Sequence, residues 1–228
     1  NISIASDANF TIGGSGTPTS NGAVTLSQGN VILNRTTNVF STLATGTFAF
    51  NGGTLASNND VTIPNPITLG GNPAIFQGTN SIDLSNATAL SLGASRSLVN
   101  NITSPDTLTI SGGISNSATS TLSIFGTGNT LISGVYAAGT GTNALQMLGT
   151  GTLTITNNNA YTGASTFTGG TTVLSGNGRL GDGTVTVNQG ATLTLDNTSA
   201  NPGAADRLDN RALALNGANF NFIGNASG

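Results

Sequence analysis

The sequence predicts an all-β protein of the solenoid type, a stack of parallel coils, and three observations carry that prediction. The first is a recurring phrase in which two apolar residues one apart are followed by a turn and a second such pair. Leu145/Met147 is answered by Leu153/Ile155, Val185/Val187 by Leu193/Leu195, Leu213/Leu215 by Phe220/Phe222, and at the start Ile2/Ile4 by Phe10/Ile12. Self-similarity of this kind marks stacked supersecondary units rather than one globular core. The second is strict alternation, with Thr or Ser usually between the apolar pair, as a strand with one buried face requires. The third is the spacing material: Gly and Asn clusters suited to tight corners, and no window of about 11 residues with a helical stripe.

In chain order, the alternation appears at Val24-Thr25-Leu26, Phe48-Ala49-Phe50, Val61-Thr62-Ile63, Ile82-Asp83-Leu84 and Leu90-Ser91-Leu92. It returns at Leu108-Thr109-Ile110, Leu122-Ser123-Ile124 and Leu153-Thr154-Ile155. The turns fall at Gly13-Gly14, Asn51-Gly52-Gly53, Gly70-Gly71-Asn72, Gly112-Gly113, Gly149-Thr150-Gly151 and Asn157-Asn158-Asn159. Doublets from position 2 to position 213 give about 23 residues per unit. A further coil expected around Tyr161, Phe167 and Val173 lowers that to about 21, for about 10–11 coils and a rod on the order of 50 Å long. An antiparallel sandwich is the main competitor. The likeness of the doublets to one another and the low aromatic content, 5%, favour the solenoid.

Composition excludes several function classes. Only 6% of the 228 residues are charged, against about 25% in an ordinary soluble domain, and Lys, Glu, His, Cys and Trp are absent. No apolar run approaches the roughly 20 residues of a spanning helix, so membrane insertion of this segment is not expected. A net charge of -3 with five scattered arginines leaves no electrostatic footprint for nucleic acid. Zero cysteines exclude disulfides and thiolate metal sites and fit an extracellular repeat protein. The chain opens Asn1-Ile2-Ser3-Ile4 and reads as a mature piece or a segment of something longer.

Residues 149–195 read GTGTLTITNNNAYTGASTFTGGTTVLSGNGRLGDGTVTVNQGATLTL. This stretch resembles the autotransporter-associated β-strand repeat, or passenger-associated transport repeat. The matching positions are Gly149, Gly151, Leu153 and Ile155; Asn159, Tyr161, Thr162 and Gly163; Gly170, Thr172, Leu174 and Gly176; and Leu180 and Gly181. The pattern is broken at Gly178-Arg179, and Thr172-Val173-Leu174 reads as shifted by one. Residues 206–217 are similar to a following unit. The expected organisation is one solenoid segment over 1–228, uncapped at both ends, with degenerate coils over 1–148 and the clearest repeat match over 149–228. The resemblance implies a right-handed parallel β-helix in a large, secreted bacterial surface protein, exported through an outer-membrane barrel. No catalytic residue belongs to the repeat motif.

Enzymes similar to pectate lyases share that helix, but their chemistry needs clustered acids with cationic partners. The one such cluster here is Asp206, Arg207, Asp209 and Arg211. It is suited to a sugar carboxylate or a cation, yet the simpler expectation is a solvated loop of mutual ion pairs, each worth under about 1 kcal/mol. Gly181-Asp182-Gly183 is similar to a calcium-binding nonapeptide but stands alone, where such rolls need a tandem array. Gly126-Thr127-Gly128 precedes no helix and carries no Lys, so it is not a phosphate loop. With no His, Lys or Cys there is no ordinary base for a Ser or Thr nucleophile. The expectation is therefore no enzyme, no catalytic residue, no cofactor and no metal.

The Thr-x-Thr pairs Thr107/Thr109, Thr152/Thr154, Thr184/Thr186 and Thr192/Thr194 are the remaining candidates for a surface contact. Paired threonines on a flat solenoid face resemble ice-binding proteins, but the pattern gives way at Ser91, Ala214, Asp83 and Asn221. The expected function is an extracellular structural solenoid, a stalk, spacer or fibre segment, with partners that are further copies stacked end to end or laterally into a filament, or adjoining coils of a longer chain. The alternative is an adhesin that holds a glycan or host surface through loops or an outward face. Ice binding and a polysaccharide-active enzyme rank behind these.

Overall fold

The computed structural model describes residues 2–4, 9–13, 22–34, 46–85, 89–198 and 207–224. The regular elements among them are β-strands, arranged in three parallel sheets along the stack. The first sheet holds β1 (Ile2–Ile4), β3 (Val24–Leu26), β5 (Phe48–Phe50), β8 (Ile67–Leu69), β11 (Leu90–Leu92) and β14 (Ile114–Asn116). The second holds β2 (Asn9–Gly13), β4 (Asn30–Asn34), β6 (Thr54–Ser57), β9 (Ala74–Gly78) and β12 (Arg96–Ile102). It continues through β15 (Ser120–Phe125), β17 (Asn143–Met147), β19 (Ser165–Phe167), β21 (Val185–Asn188) and β23 (Leu213–Asn216). The third holds β7 (Val61–Ile63), β10 (Ile82–Leu84), β13 (Thr107–Ile110) and β16 (Asn129–Ile132). Its remaining strands are β18 (Thr152–Ile155), β20 (Thr171–Leu174), β22 (Thr192–Asp196) and β24 (Asn219–Ile223).

Each strand pairs with its counterpart one coil away, which is the β-solenoid the alternation predicts. The second sheet contributes one strand per coil, ten among the described residues. Its register advances by 20 to 28 residues per coil, with a mean of 23. The expected period of about 21 is too short. The coil around Tyr161, Phe167 and Val173 exists as β19 and β20, but the doublets at 48 and 61 are β5 and β7 of a single coil. A coil holds up to three doublets, so counting doublets overcounts coils.

Inward residues stack on their equivalents. In the second sheet Leu122, Leu145, Ser165 and Val185 form one such column, and Ile124, Met147, Phe167 and Val187 the next. All are buried, and each fully buried Leu, Ile, Phe or Met side chain contributes about 1.5–3 kcal/mol. The column continues only as far as the stack does. In the last described coil, Leu215 is 45% and Phe222 62% exposed, although they sit in register with Val187 and Leu195.

The first sheet gives way after β14 to isolated backbone bridges and single backbone hydrogen bonds, reinforced by side chains. Tyr136 bridges Ile114, and Asn158 bridges Arg179. Asn159 links three coils: its Oδ1 accepts the Tyr136 N–H at 2.8 Å while its Nδ2 donates to the Arg179 carbonyl at 2.8 Å. The Tyr136 and Tyr161 rings pack with centroids 4.9 Å apart. Their hydroxyls stay paired inside: Tyr136 Oη accepts from Asn116 at 3.4 Å, and Tyr161 Oη meets Ser165 Oγ at 2.6 Å. Buried Ser120, Asn143 and Asn116 complete this network. A buried amide or hydroxyl without a partner costs about 1–3 kcal/mol, so paired ones define the path of the chain. No helix among the described residues is long and apolar enough to cross a membrane.

Candidate functional site

The structure divides the threonine pairs between two faces. Thr107/Thr109 on β13, Thr152/Thr154 on β18 and Thr192/Thr194 on β22 all belong to the third sheet. Thr186 lies on β21 of the second sheet, with Thr184 exposed just before it. These two therefore do not join the other six.

Pairing of the strands aligns the third-sheet threonines into columns. Thr109, Leu131, Thr154, Val173 and Thr194 form one column across five coils. Thr107, Asn129, Thr152, Thr171 and Thr192 lie two residues away in a parallel column. A third follows at Ser111, Ser133, Thr156 and Ser175, each N–H bonded to the preceding coil, with Asp196 beyond them. These side chains are partly exposed apart from Thr194, which is 7% exposed.

Alternation of Thr with Leu or Val in the middle column has a mirror inside. The neighbouring inward column reads Leu108, Thr130, Leu153, Thr172, Leu193. In β16 and β20 the order of Thr and aliphatic residue is reversed, so Leu131 and Val173 face out while Thr130 and Thr172 are buried. The Thr130 hydroxyl accepts from Asn100 Nδ2 at 3.0 Å, but Thr172 Oγ1 has no partner. A shallow open groove of about 300 Å³ lies on this face, lined by Thr107, Asn129, Thr130, Leu131, Thr152 and Thr154.

The charged cluster is a second grouping and only in part the expected self-paired loop: Asp209 and Arg211 pair within it, whereas Arg207 does not pair with a carboxylate. Asp206 lies outside the described residues. Arg207 is buried, 4% exposed, and bonds to backbone and amide oxygens rather than to a carboxylate. Its Nε donates to Asn197 Oδ1 at 2.6 Å, Nη1 to the Gly178 carbonyl at 2.9 Å and Nη2 to the Asp196 carbonyl at 2.6 Å. Burial lowers the pKa of this guanidinium, partly offset by the Asp196 charge. Two hydrogen bonds from Thr198 to the Asp196 carboxylate, side chain first and backbone second, lower the Asp196 pKa.

Arg211 pairs with Asp182 at 2.8 Å, and Asp209 with Arg179 at 2.8 Å and with Arg211 at 3.7 Å. The Arg211–Asp182 and Arg179–Asp209 pairs tie neighbouring coils, while Arg211–Asp209 closes within one segment. Arg179 and Asp182 escaped the sequence reading because each lies about one coil upstream of its partner. Arg179 Nε and Arg211 Nε are buried without a partner.

Among the described residues, no group of three or more His, Cys, Asp or Glu is placed to hold a metal ion. The arrangement that fold and side chains define is a parallel β-solenoid with one hydroxyl-rich sheet face and one arginine-tied corner. No family model matches the chain, and comparison with curated proteins and with solved structures finds no significant match.

Proposed function

We propose that this chain is a non-enzymatic structural segment, a stalk, spacer or fibre of a bacterial surface protein of the autotransporter-repeat type, working outside the cell. The observation that supports this best is the use of polar side chains along the stack. Asn159, Asn143, Asn116 and Arg207 are buried and bonded between coils. Such side chains act as rungs, and each coil serves as the docking surface for the next. Length then follows coil number, at about 4.8 Å per coil. The exposed inward residues of the last described coil suit a further parallel coil, from the same chain or a second copy.

The four arginines among the described residues agree with an exposed fibre. Arg96 donates to the Leu69 and Gly70 carbonyls at 2.5 and 2.9 Å, and Arg179, Arg207 and Arg211 are held as described above. A trypsin-like protease needs each of these side chains in an extended, accessible segment. Negative-stain microscopy of the purified chain, with a trypsin time course, tests the reading. Rods on the order of 50 Å or multiples of it, resistant to trypsin, are expected; rounded particles cut quickly at these arginines would overturn it.

A further inference from the structure

The threonine array lost weight in the sequence because Ser91 and Ala214 interrupt the pattern, and these interruptions belong to other faces. Ser91 lies on β11 of the first sheet and Ala214 on β23 of the second. The five coils from β13 to β22 of the third sheet carry two outward columns within the strands and a third at or just past the strand ends, a grid of three columns. Eleven of its fifteen positions carry a hydroxyl; the others are Asn129, Leu131, Val173 and, at one corner, Asp196. The interruptions on this sheet itself, Asp83 and Asn221, lie in the flanking coils, beyond both ends of the grid.

The chemistry of this face is narrow. It holds no Lys, Arg or aromatic side chain, and both tyrosines of the chain are buried elsewhere. An acidic ligand finds no cation here, and a sugar ring finds no aromatic platform of the kind that lines organic-ligand sites. The hydroxyls of Thr109, Thr152 and Thr154 make no hydrogen bond within the protein among the described residues. Within the strands the grid is regular in both directions, with rows about 4.8 Å apart and the two columns about 6.6 Å apart, as parallel strand geometry dictates. Threonine offers a methyl group beside each hydroxyl, and Leu131 and Val173 extend the methyl surface between threonines. The open groove at Thr107, Asn129, Leu131 and Thr152 leaves room for water on this face.

We infer that the outward face of the third sheet between Thr107 and Asp196 binds the surface of an ice crystal, through water ordered on its threonine grid. Uncharged hydroxyls in two-dimensional register hold water oxygens at repeating positions, while the methyl groups exclude disordered water between them. This inference goes beyond the structural role and does not rest on it, since a free rod and a stalk present the same face.

The test uses the whole chain and three variants at outward positions: Thr154→Lys and Thr109→Lys on the grid, and Thr186→Lys on the second sheet as control. Circular dichroism and thermal melting establish that each remains folded. Partition of labelled protein into slowly grown ice, together with thermal hysteresis, is the readout. The wild-type chain and Thr186→Lys enter ice alike, and each grid variant falls by about tenfold or more. Exclusion of the wild-type chain from ice overturns the inference, as does an equal loss in Thr186→Lys. Retention on microcrystalline cellulose without partition into ice, abolished by Thr154→Lys, overturns it in favour of a polysaccharide surface.

Discussion

One edge of the Tyr161 ring packs closely against Gly181, twenty residues later and one coil further along the stack. A Cβ at position 181 would stand 2.6 Å from Tyr161 Cε2, and closer still to Cδ2 and the carbonyl oxygen. The glycine is required by close approach, not by its backbone angles. Gly181→Ala therefore forces the tyrosine or its backbone aside, at a cost of about 1–3 kcal/mol. Urea denaturation reads this as a lower midpoint, while Gly93→Ala, where an added Cβ meets nothing within 4 Å, leaves the midpoint nearly unchanged. Equal effects at the two positions would refute the close-packing account.

Asn159 reinforces the sparse backbone pairing where the first sheet has ended. Asn159→Leu keeps the number and branching of the side-chain heavy atoms but leaves the Tyr136 N–H without its acceptor. The expected loss is about 1–3 kcal/mol, measured by chemical denaturation at constant slope. Asn158→Ala, at an exposed position beside it, is the control and stays within about 0.5 kcal/mol. A loss at Asn159 no larger than at Asn158 would mean that the buried amide does not hold the three coils.

Thr172 offers a gain. Its side chain is fully buried and its hydroxyl unpaired, so Thr172→Val removes a desolvated polar atom without changing shape. Stability rises by about 1 kcal/mol, visible as a higher melting temperature. A lower one would indicate that a buried water serves the hydroxyl.

Alkaline pH gives a further prediction. Burial raises the phenols of Tyr136 and Tyr161 from 10 to about 12 each. Below pH 10 both are neutral in folded and unfolded chains alike, and their contribution is fully present. Between about pH 10 and 12 the unfolded chain loses phenolic protons that the folded chain keeps, so stability falls by up to about 1.4 kcal/mol per pH unit for each tyrosine. These are the only tyrosines. Tyrosinate absorbance and loss of β-sheet circular dichroism should therefore appear together. Titration near pH 10 with the dichroism intact would contradict burial.

Alternation such as Leu153-Thr154-Ile155 is read correctly from the chain alone, because the two faces of a strand are set by local geometry with period two. The resemblance noted in the sequence singles out Asn159, Tyr161 and Gly181 as positions but gives them no roles. Tyr161 and Gly181 have meaning only as neighbours across a coil. Asp182 read as an isolated turn residue and Arg211 as part of a loop, although they form one ion pair.

The sequence by itself determined that this chain is a β-solenoid with apolar residues inside and hydroxyls outside, since these properties follow from composition and alternation within each strand. Only the tertiary structure decided which strands share a sheet, that Thr186 faces away from Thr154, that Thr172 points inward, and which aspartate meets which arginine. The reason is register. The steps between coils vary from 20 to 28 residues with the lengths of the turns, and a difference of one residue turns a side chain from one face of the strand to the other.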